Sequence, residues 1–297
     1  MKAGVRLFLL VFLPAVLSGS VPGELRLASW NLRNYLLADR WTGEAWRFHY
    51  PKPEAEKAVV REQLLRRRPD VLFLQEIGSE AMLRELQRDL ADLGLTYPHT
   101  HFGKRPGRAR GLAVLGRRPL AEAIFHDEVP LAGMPGTVLR RGLQVIRLRT
   151  ETGEEILCFH VHLKSRYTSD PADPESLRRR EAEIAAVAGF VESRLAIAPP
   201  QNRFLIVGDF NTPFGDELFA RLRKASPAWR PVPVRDQSGE EWTYHHRKSD
   251  RFSRIDGFWT LERDRALFAG IGLFPEGRAG PAGSDHRMVL ICYSTGR

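Results

Sequence analysis

The chain has 297 residues, of which 43% are hydrophobic and 27% are charged, and its formal net charge is +9 at neutral pH. These values exclude a disordered or low-complexity chain and are typical of a globular protein with material for one large domain or two small ones. The excess of positive charge favours anionic partners, such as nucleic acid or an anionic lipid surface.

Residues 1–20 have the pattern of a secretory signal peptide. Lys2 and Arg6 give a basic start, residues 7–17 form an apolar run, and small side chains follow it. The apolar run is shorter than the roughly 20 residues that a membrane-spanning helix needs. No cysteine follows it, so we expect no lipid anchor. We therefore expect a cleaved leader and a secreted or periplasmic mature chain, residues 21–297, with no stable membrane anchor.

Eight short segments have the composition of β-strands, because they are rich in Leu, β-branched and aromatic residues. In chain order they are 25–30, 70–75, 111–116, 144–150, 155–161, 203–208, 254–260 and 287–293. The sequence between the fourth and fifth segments, residues 151–154, predicts a hairpin turn.

Helical patterns lie between some of these strands. Residues 53–68 have helical composition and end directly before a proline. Ser79 can cap a helix whose apolar stripe extends to Leu93, and a longer helix is predicted over about 175–195. Because each helix is apolar on only one face, we expect packed sheets with helices on the outside.

The chain contains only two cysteines, Cys158 and Cys292, and each lies in an apolar, strand-like run. An exported protein meets oxidising conditions, but a single pair of cysteines is not a disulfide framework. We expect two buried thiols, although the sequence leaves their pairing open.

Polar side chains follow four of the predicted strands, lie within a fifth and precede a sixth. They are Asn31, Glu76, His162, Asp209 with Asn211, Asp256, and the pair Asp285-His286. An unpaired buried charge is costly, so we expect an apolar strand to end in a carboxylate where it lines a cleft. Oxygen ligands beside imidazoles have the composition of a Mg²⁺ or Mn²⁺ site that also transfers protons.

Seven motifs resemble, in order, those of the endonuclease/exonuclease/phosphatase superfamily. They are "SWNLRNY", "DVLFLQE", "GLAVLG", "HVHLKS", "GDFNTPF", "RIDGFW" and "SDHRMV", and they extend from Ser29 to Val289. The resemblance implies an α+β fold of the DNase I type, a four-layer αββα sandwich formed as a single domain. It also implies a metal-dependent hydrolase of phosphate esters with its active site at one edge of the two sheets. We expect it to act as a monomer.

The resemblance also implies a role for each polar residue. Glu76 would bind Mg²⁺ or Mn²⁺, with Asn31 assisting directly or through water and Asp285 adding a carboxylate. Asp209 would hold the attacking water or a metal. Asn211 would donate a hydrogen bond to a phosphate oxygen.

Two histidines would complete the reaction. His286 would act as a base or a phosphate contact, oriented by Asp256, and His162 would donate a hydrogen bond or a proton. Members of the DNase I type supply an acidic partner for the histidine at this second position, and residues 104–114 do not reveal one. Whether Asp209 or His286 takes the proton of the water stays open at this point.

Two further segments allow two interpretations each. The glycine-rich loop 103–111 carries four cations, Lys104, Arg105, Arg108 and Arg110, which either bind a phosphate backbone or are simply solvated. Four aromatic residues after the first strand form either a wall facing the substrate or a cover for that strand. They are Trp41, Trp46, Phe48 and Tyr50.

The sequence thus predicts a secreted phosphodiesterase, and its basic charge favours a nuclease that acts on DNA or RNA. A lipid phosphodiesterase or a phosphomonoesterase on the same scaffold is the alternative, because a fold does not fix its substrate. A catalytically silent binding module is the third possibility, and the intact set of polar residues disfavours it.

Overall fold

The computed structural model describes residues 24–219, 228–276 and 283–294. The expected leader, residues 1–20, lies outside these described ranges. Within them, no helix combines the length and the apolar character needed to cross a lipid bilayer.

The described residues form sixteen strands, three α-helices and two short 3-10 helices. The strands are β1 (Glu24–Tyr35), β2 (Ala38–Trp41), β3 (Trp46–Tyr50), β4 (Val71–Ile77), β5 (His99–Gly103), β6 (Gly111–Gly116), β7 (Leu120–His126), β8 (Leu143–Arg149), β9 (Glu155–His162), β10 (Arg203–Asp209), β11 (Trp229–Pro231), β12 (Tyr244–His246), β13 (Arg251–Ser253), β14 (Asp256–Leu261), β15 (Phe268–Phe274) and β16 (Met288–Ser294). The helices are α1 (Glu54–Arg67), α2 (Glu80–Asp92) and α3 (Leu177–Leu195), with 3-10 turns at Pro174–Ser176 and Glu262–Leu267.

Two six-stranded sheets form the centre of the molecule. The first has the order β15-β16-β1-β4-β6-β5, and the second has the order β11-β14-β10-β9-β8-β7. The pairs β1-β4 and β9-β10 are parallel, and the other neighbours are antiparallel, so both sheets are mixed. The strands β2 and β3 form a separate hairpin, as do β12 and β13.

The inner faces of the two sheets pack on each other. Leu27 of β1 and Phe73 of β4 share a buried apolar cluster with Cys158 of β9 and Leu205 of β10. Successive side chains of a strand point to opposite faces. The residues between these core positions therefore point outward, away from the second sheet.

Helices cover both outer faces. Val60 of α1 and Leu86 of α2 share a buried cluster with Leu72 of the first sheet. Ile184 of α3 shares another cluster with Phe159 of the second sheet. The layers are helix, sheet, sheet and helix, which confirms the α+β four-layer sandwich that the sequence predicts.

Most of the predicted local structure is confirmed. Each predicted strand is present, and the turn at 151–154 joins β8 to β9 as antiparallel neighbours. The hydroxyl of Ser79 caps α2 by accepting the N–H of Met82 at 3.3 Å. Cys158 and Cys292 are buried free thiols, as expected.

Leu93 is a correction to the predicted stripe of α2. It is the C-cap residue of the helix, and 52% of it is exposed. The backbone turns at Gly94, whose φ is 83°. Leu95 then takes the buried place, and its N–H donates to the carbonyl of Leu90 at 2.8 Å. The left-handed turn, which glycine adopts easily, therefore carries Leu95 rather than Leu93 into the core.

Candidate active site

Three neighbouring strands of the second sheet carry polar side chains in register. His162 of β9 is the parallel partner of Asp209 in β10, and Asp209 is the antiparallel partner of Asp256 in β14. All three side chains are buried. Along its strand, each is two or four residues away from a side chain that belongs to the core between the sheets. Strand alternation therefore turns all three toward the space between the sheets, at one edge of the sandwich.

Gly208 allows β9 and β10 to approach closely beside this edge. Its φ is 138°, and a Cβ at this position would lie 1.9 Å from the carbonyl oxygen of Val161. A larger residue would push apart the strands that present His162 and Asp209. The glycine that precedes the aspartate is therefore required by the backbone itself.

Asp209 is the centre of the polar cluster. Its Oδ2 accepts hydrogen bonds from Nδ2 of Asn31 at 2.9 Å and from Nδ2 of Asn211 at 3.2 Å. Its Oδ1 accepts the backbone N–H of Asn211 at 2.8 Å. The Nε2 atom of His162 lies 3.3 Å from Oδ2. One carboxylate thus joins groups from both sheets.

His286 lies just before β16 and is oriented by Asp256. Its Nδ1 atom lies 2.9 Å and 3.1 Å from the two carboxylate oxygens of Asp256. The hydroxyl of Thr243 donates to the same carboxylate at 2.7 Å, and the indole of Trp30 donates to the carbonyl of His286 at 3.0 Å. Because these contacts hold the ring, its Nε2 atom faces Oδ2 of Asp209 at 4.0 Å.

Glu76 reaches the cluster through a bulge in β4. Its φ is 68°, and the pairing of β4 with β6 shifts register at this point, so the side chain leaves the regular alternation. Its Oε2 accepts the backbone N–H of Asn34 at 2.7 Å. Its Oε1 lies 3.2 Å from Nε of Arg110 and 4.0 Å from Nε2 of His162. Glu76 therefore joins the same cluster as Asp209, although it comes from the other sheet.

Asp285 completes the cluster beside β16. Its Oδ1 lies 3.9 Å from Nε2 of His286, and its Oδ2 lies 3.6 Å from Nε of Arg33. All eight residues that the sequence proposes for catalysis and metal binding are thus joined in one network of contacts of 4.0 Å or less.

Burial and neighbouring charges set the ionisation of this cluster. Burial, together with Asp256, raises the pKa of Asp209 to about 7. Burial alone would lower the pKa of His286, but Asp256 and Asp209 reverse that effect and raise it to about 10. Burial, and after it Arg141, holds the pKa of His162 well below its usual range. At neutral pH the cluster therefore contains a cationic His286 and a neutral His162.

Among the described residues, no acidic side chain contacts the Nδ1 atom of His162. This nitrogen is buried and has no hydrogen-bond partner among the residues that the structure describes. The Nε2 atom of the same ring faces the carboxylates of Asp209 and Glu76. A neutral imidazole with its proton on Nε2 donates one hydrogen bond in that direction. This arrangement favours a hydrogen-bond donor over a strong general acid.

The four cations of the loop between β5 and β6 fall into two pairs. Lys104 and Arg105 donate to backbone carbonyl groups of neighbouring loops, at 2.7 Å and 3.3 Å. Arg110 pairs with Glu76, and Arg108 is exposed. The structure therefore brings Arg110 to the catalytic cluster and leaves Arg108 open to solvent, while the first two cations anchor the loop.

Sequence reasoning missed further cations near the cluster. Arg141 donates to the carbonyl of Leu163 at 2.7 Å. Burial, and after it Arg108, lowers the pKa of Arg140, and burial, followed by Arg140 and Arg141, lowers the pKa of Lys164. These like charges therefore lie near one another. The doublet of arginines before β8 is the signal that could have revealed them. We call the following residues the cationic patch: Arg108, Arg110, Arg140, Arg141 and Lys164.

The donor set fits a hard divalent cation. Glu76 and Asp285 supply carboxylate oxygens. Asn31 supplies an amide oxygen that accepts the backbone N–H of Arg33 at 2.9 Å and has a second lone pair. Mg²⁺ and Mn²⁺ prefer such oxygen ligands and keep several waters, so few protein ligands are needed. The donor chemistry therefore suits a small divalent cation.

A second group of possible ligands lies beside the first. Atoms of Asp209, Asp256 and His286 lie within 4.8 Å of one another, close enough to hold a metal ion. However, Nδ1 of His286 is already bonded to Asp256. The remaining atoms, Oδ2 of Asp209 and Nε2 of His286, are 4.0 Å apart and can contact a water molecule and a phosphate.

The model of the Endonuclease/Exonuclease/phosphatase family matches residues 28–286. The chain therefore belongs to this family, whose members are generally phosphoric ester hydrolases and typically use divalent metals. No curated protein matches the chain.

Solved structures share the fold across nearly the whole chain. The human Nocturnin catalytic domain with bound sulfate anion is 18% identical, with a TM-score of 0.66, and the match covers 92% of this chain and 95% of that one. A truncated Caenorhabditis elegans TDP2 is 18% identical (TM-score 0.61; 92% and 98% covered). Sphingomyelinase C from Streptomyces griseocarneus is 16% identical (TM-score 0.63; 91% and 99% covered). At these identities the similarity shows the fold alone.

Proposed function

We propose that this protein is an exported, divalent-metal-dependent phosphodiesterase that hydrolyses DNA or RNA. The observation that carries the proposal is the contact between the catalytic cluster and the cationic patch, in which Arg110 lies 3.2 Å from Glu76. Arginine and lysine bind the phosphates of a nucleic-acid backbone and thereby hold the strand in place. The net charge of +9 acts in the same direction.

Hydrolysis of a phosphodiester requires a positioned water, stabilisation of the developing charge and a proton for the leaving oxygen. A Mg²⁺ or Mn²⁺ ion held by Glu76, with Asp285 and Asn31, would supply charge stabilisation at the phosphate. Asp209 orients the attacking water, because its carboxylate is fixed by both asparagines. His162 donates a hydrogen bond to the leaving oxygen, which takes its proton from solvent water.

Asp209 is the better candidate for the base. Its pKa of about 7 suits proton transfer near neutral pH. His286, whose pKa is about 10, already carries its proton and donates from Nε2 to a phosphate oxygen. Asn211 donates to a phosphate oxygen once the substrate displaces part of its contact with Asp209. In this assignment Asp256 keeps His286 charged and oriented.

Plasmid DNA, single-stranded DNA and RNA, each incubated with Mg²⁺ or Mn²⁺, test the proposal. We expect cleavage with either ion and none with chelator. Sphingomyelin vesicles, an inositol phosphate and bis(p-nitrophenyl) phosphate belong in the same panel. If nucleic acids stay intact while the lipid or the inositol phosphate is hydrolysed, the proposed nucleic-acid substrate is wrong but the proposed hydrolysis of phosphate esters is right. Failure of every phosphoester with every metal would favour a binding module.

The alternative, a lipid phosphodiesterase or a phosphomonoesterase, has one observation in its favour. Several large apolar side chains of β2 and β3 are exposed, including Trp41 at 60% and Phe48 at 75%. Exposed apolar patches mark interaction sites, and a lipid surface is one such partner. The cationic patch lies at the catalytic cluster itself, so we place the nuclease first.

A further inference from the structure

The hairpin formed by β2 and β3 stands apart from the two packed sheets. Within the part of the chain that the structure describes, its strands pair only with each other, with Trp41 opposite Trp46 and Arg40 opposite Arg47. All of β3 is exposed, and the exposed fractions are 60% for Trp41, 55% for Trp46 and 75% for Phe48. These rings therefore do not cover the first strand, which was one of the two interpretations of the sequence.

The base of the hairpin is fixed to the catalytic cluster. The guanidinium of Arg40 donates to the carbonyl groups of Asn34 and Leu36, at 3.1 Å and 2.9 Å. The buried ammonium of Lys52 donates to the carbonyl of Arg33 at 3.1 Å. The N–H of Asn34 in turn donates to Glu76 at 2.7 Å. The loop that holds Glu76 is thus the same loop that holds the hairpin.

The two faces of the hairpin differ in chemistry. Cross-strand partners share a face, so Trp41 and Trp46 lie on one side and Arg40 and Arg47 on the other. Phe48 lies at the bulge of β3, where the pairing with β2 shifts register, and it is 75% exposed. Because the guanidinium of Arg40 donates to Asn34 and Leu36, the arginine side of the hairpin faces the loop that holds Glu76. The aromatic side is therefore presented to solvent.

The length of the hairpin matches a few nucleotides. A strand rises about 3.3 Å per residue, so the four residues of β2 extend roughly 13 Å from the catalytic loop. Exposed aromatic rings beside a positively charged groove are the usual means of binding single-stranded nucleic acid, because every unpaired base can stack on a ring. A duplex hides the faces of its bases and cannot use such rings.

We propose that the β2-β3 hairpin is a stacking platform for unpaired bases and gives this protein a preference for single-stranded nucleic acid. The proposal rests on the nuclease function proposed above. A lipid surface fits the hairpin less well, because Glu44 lies in its turn beside both tryptophans and would have to enter the interface. The cationic patch near Glu76 supplies the contacts to the phosphates on the same strand.

Intrinsic fluorescence can report on the platform without turnover. The chain has six tryptophans, and the four outside the hairpin are buried: Trp30, Trp229, Trp242 and Trp259. A ten-nucleotide oligothymidylate, added in the presence of chelator, should quench the emission of the exposed pair. In the variant W41A/W46A/F48A we expect at least a tenfold loss of affinity, measured by fluorescence anisotropy of a labelled oligonucleotide.

A matched control changes exposed apolar side chains on other elements, Ile197→Ala with Ile271→Ala, and should bind as the wild type does. With Mg²⁺, the hairpin variant should show a raised KM on the oligonucleotide and an unchanged rate on bis(p-nitrophenyl) phosphate. Equal oligonucleotide affinity for wild type and hairpin variant would overturn the platform. A second result would also overturn the platform: the oligonucleotide binds neither protein, and the wild type but not the hairpin variant binds phosphatidylcholine vesicles. Failure of the nuclease proposal is read separately, as absent cleavage of oligonucleotides with metal.

Discussion

His160 and His162 lie two residues apart on β9 and point to the same face, yet their surroundings differ. Both ring nitrogens of His160 have partners, Gln75 at 2.7 Å and Gln144 at 2.8 Å. Burial lowers its pKa to about 3. His162 faces carboxylates through Nε2, and among the described residues its Nδ1 has no partner.

The difference shows that the core between the sheets and the edge of the sandwich have different roles in the same fold. Between the sheets, a buried polar side chain is matched by neutral amides and stays uncharged, which satisfies its hydrogen bonds at little cost. At the edge, ionisable groups are gathered with incomplete partners and shifted pKa values, an arrangement typical of functional sites. The same strands extend from the core between the sheets to this edge, so the packed core holds the edge residues in place.

Loss of an edge imidazole should have the largest effect on activity. We expect His286→Ala to lower kcat by about 10³-fold, because a positioned proton donor or acceptor contributes roughly 10²- to 10⁴-fold. The variant should remain folded, with a circular dichroism spectrum close to that of the wild type. Hydrolysis of bis(p-nitrophenyl) phosphate measures the rate. Near-normal turnover would remove His286 from catalysis.

Metal dependence should depend on Glu76. Chelator should abolish activity, and Glu76→Gln should raise the Mg²⁺ or Mn²⁺ concentration that gives half-maximal rate by at least about tenfold, since a carboxylate ligand is lost. Glu80→Gln, on the exposed side of α2, is the control and should behave as the wild type. If both variants responded equally to metal, Glu76 would not be a ligand.

Replacement of His160, which lies between the sheets, should change the free energy of unfolding rather than the rate of hydrolysis. Folded His160 has a pKa of about 3, whereas in the unfolded chain an unperturbed histidine titrates near pH 6.5. As the pH is lowered, the unfolded chain therefore takes up the proton before the folded protein does. The free energy of unfolding, which is at its full value above pH 6.5, decreases as the pH falls toward 3. The loss is about 1.4 kcal/mol per pH unit over that range.

His160→Gln removes this proton uptake. We expect the variant to be less stable than the wild type at neutral pH and the gap in free energy of unfolding to narrow as the pH falls from 6.5 toward 3. Urea denaturation at a series of pH values measures the gap, with His246→Gln as a control at an exposed site. Curves that stay parallel would contradict the assignment of His160 as a buried neutral group.

The smallest expected effect concerns the cationic patch. Arg108→Ala should raise the KM for nucleic acid by about threefold and reduce the dependence of log KM on log salt by about one unit, because one phosphate contact is lost. The rate on bis(p-nitrophenyl) phosphate should not change. Arg84→Ala, an exposed arginine on α2, is the matched control. A change on the small substrate as well would place Arg108 nearer the reacting phosphate than we propose.

The sequence predicted the part of the site that strand geometry determines. His162, Asp209 and Asp256 each end or begin an apolar strand, so alternation alone turns them toward the space between the sheets. Glu76 follows the same rule only approximately, because a bulge with a positive φ sets its direction. That bulge depends on the pairing of β4 with β6, which no local pattern encodes.

The rest depended on contacts between distant segments. Thr243 supports Asp256 from a loop whose sequence gives no such signal, and Arg141 reaches the cluster because β8 lies beside β9. The aromatic residues after β1 were equally ambiguous. Only the separate pairing of β2 with β3 decides that Trp41 is exposed rather than buried. Tertiary packing, not composition, makes that choice.

The most direct test of the account locates the metal. A crystal of the protein soaked with Mn²⁺, with data collected at a wavelength where manganese scatters anomalously, should show the ion at about 2.0–2.2 Å from a carboxylate oxygen of Glu76, at the distance expected for oxygen ligands of small divalent cations. Manganese bound only by Asp209, Asp256 and His286, or remote from this edge of the sandwich, would contradict the division of the cluster into a metal site and a water-activating site.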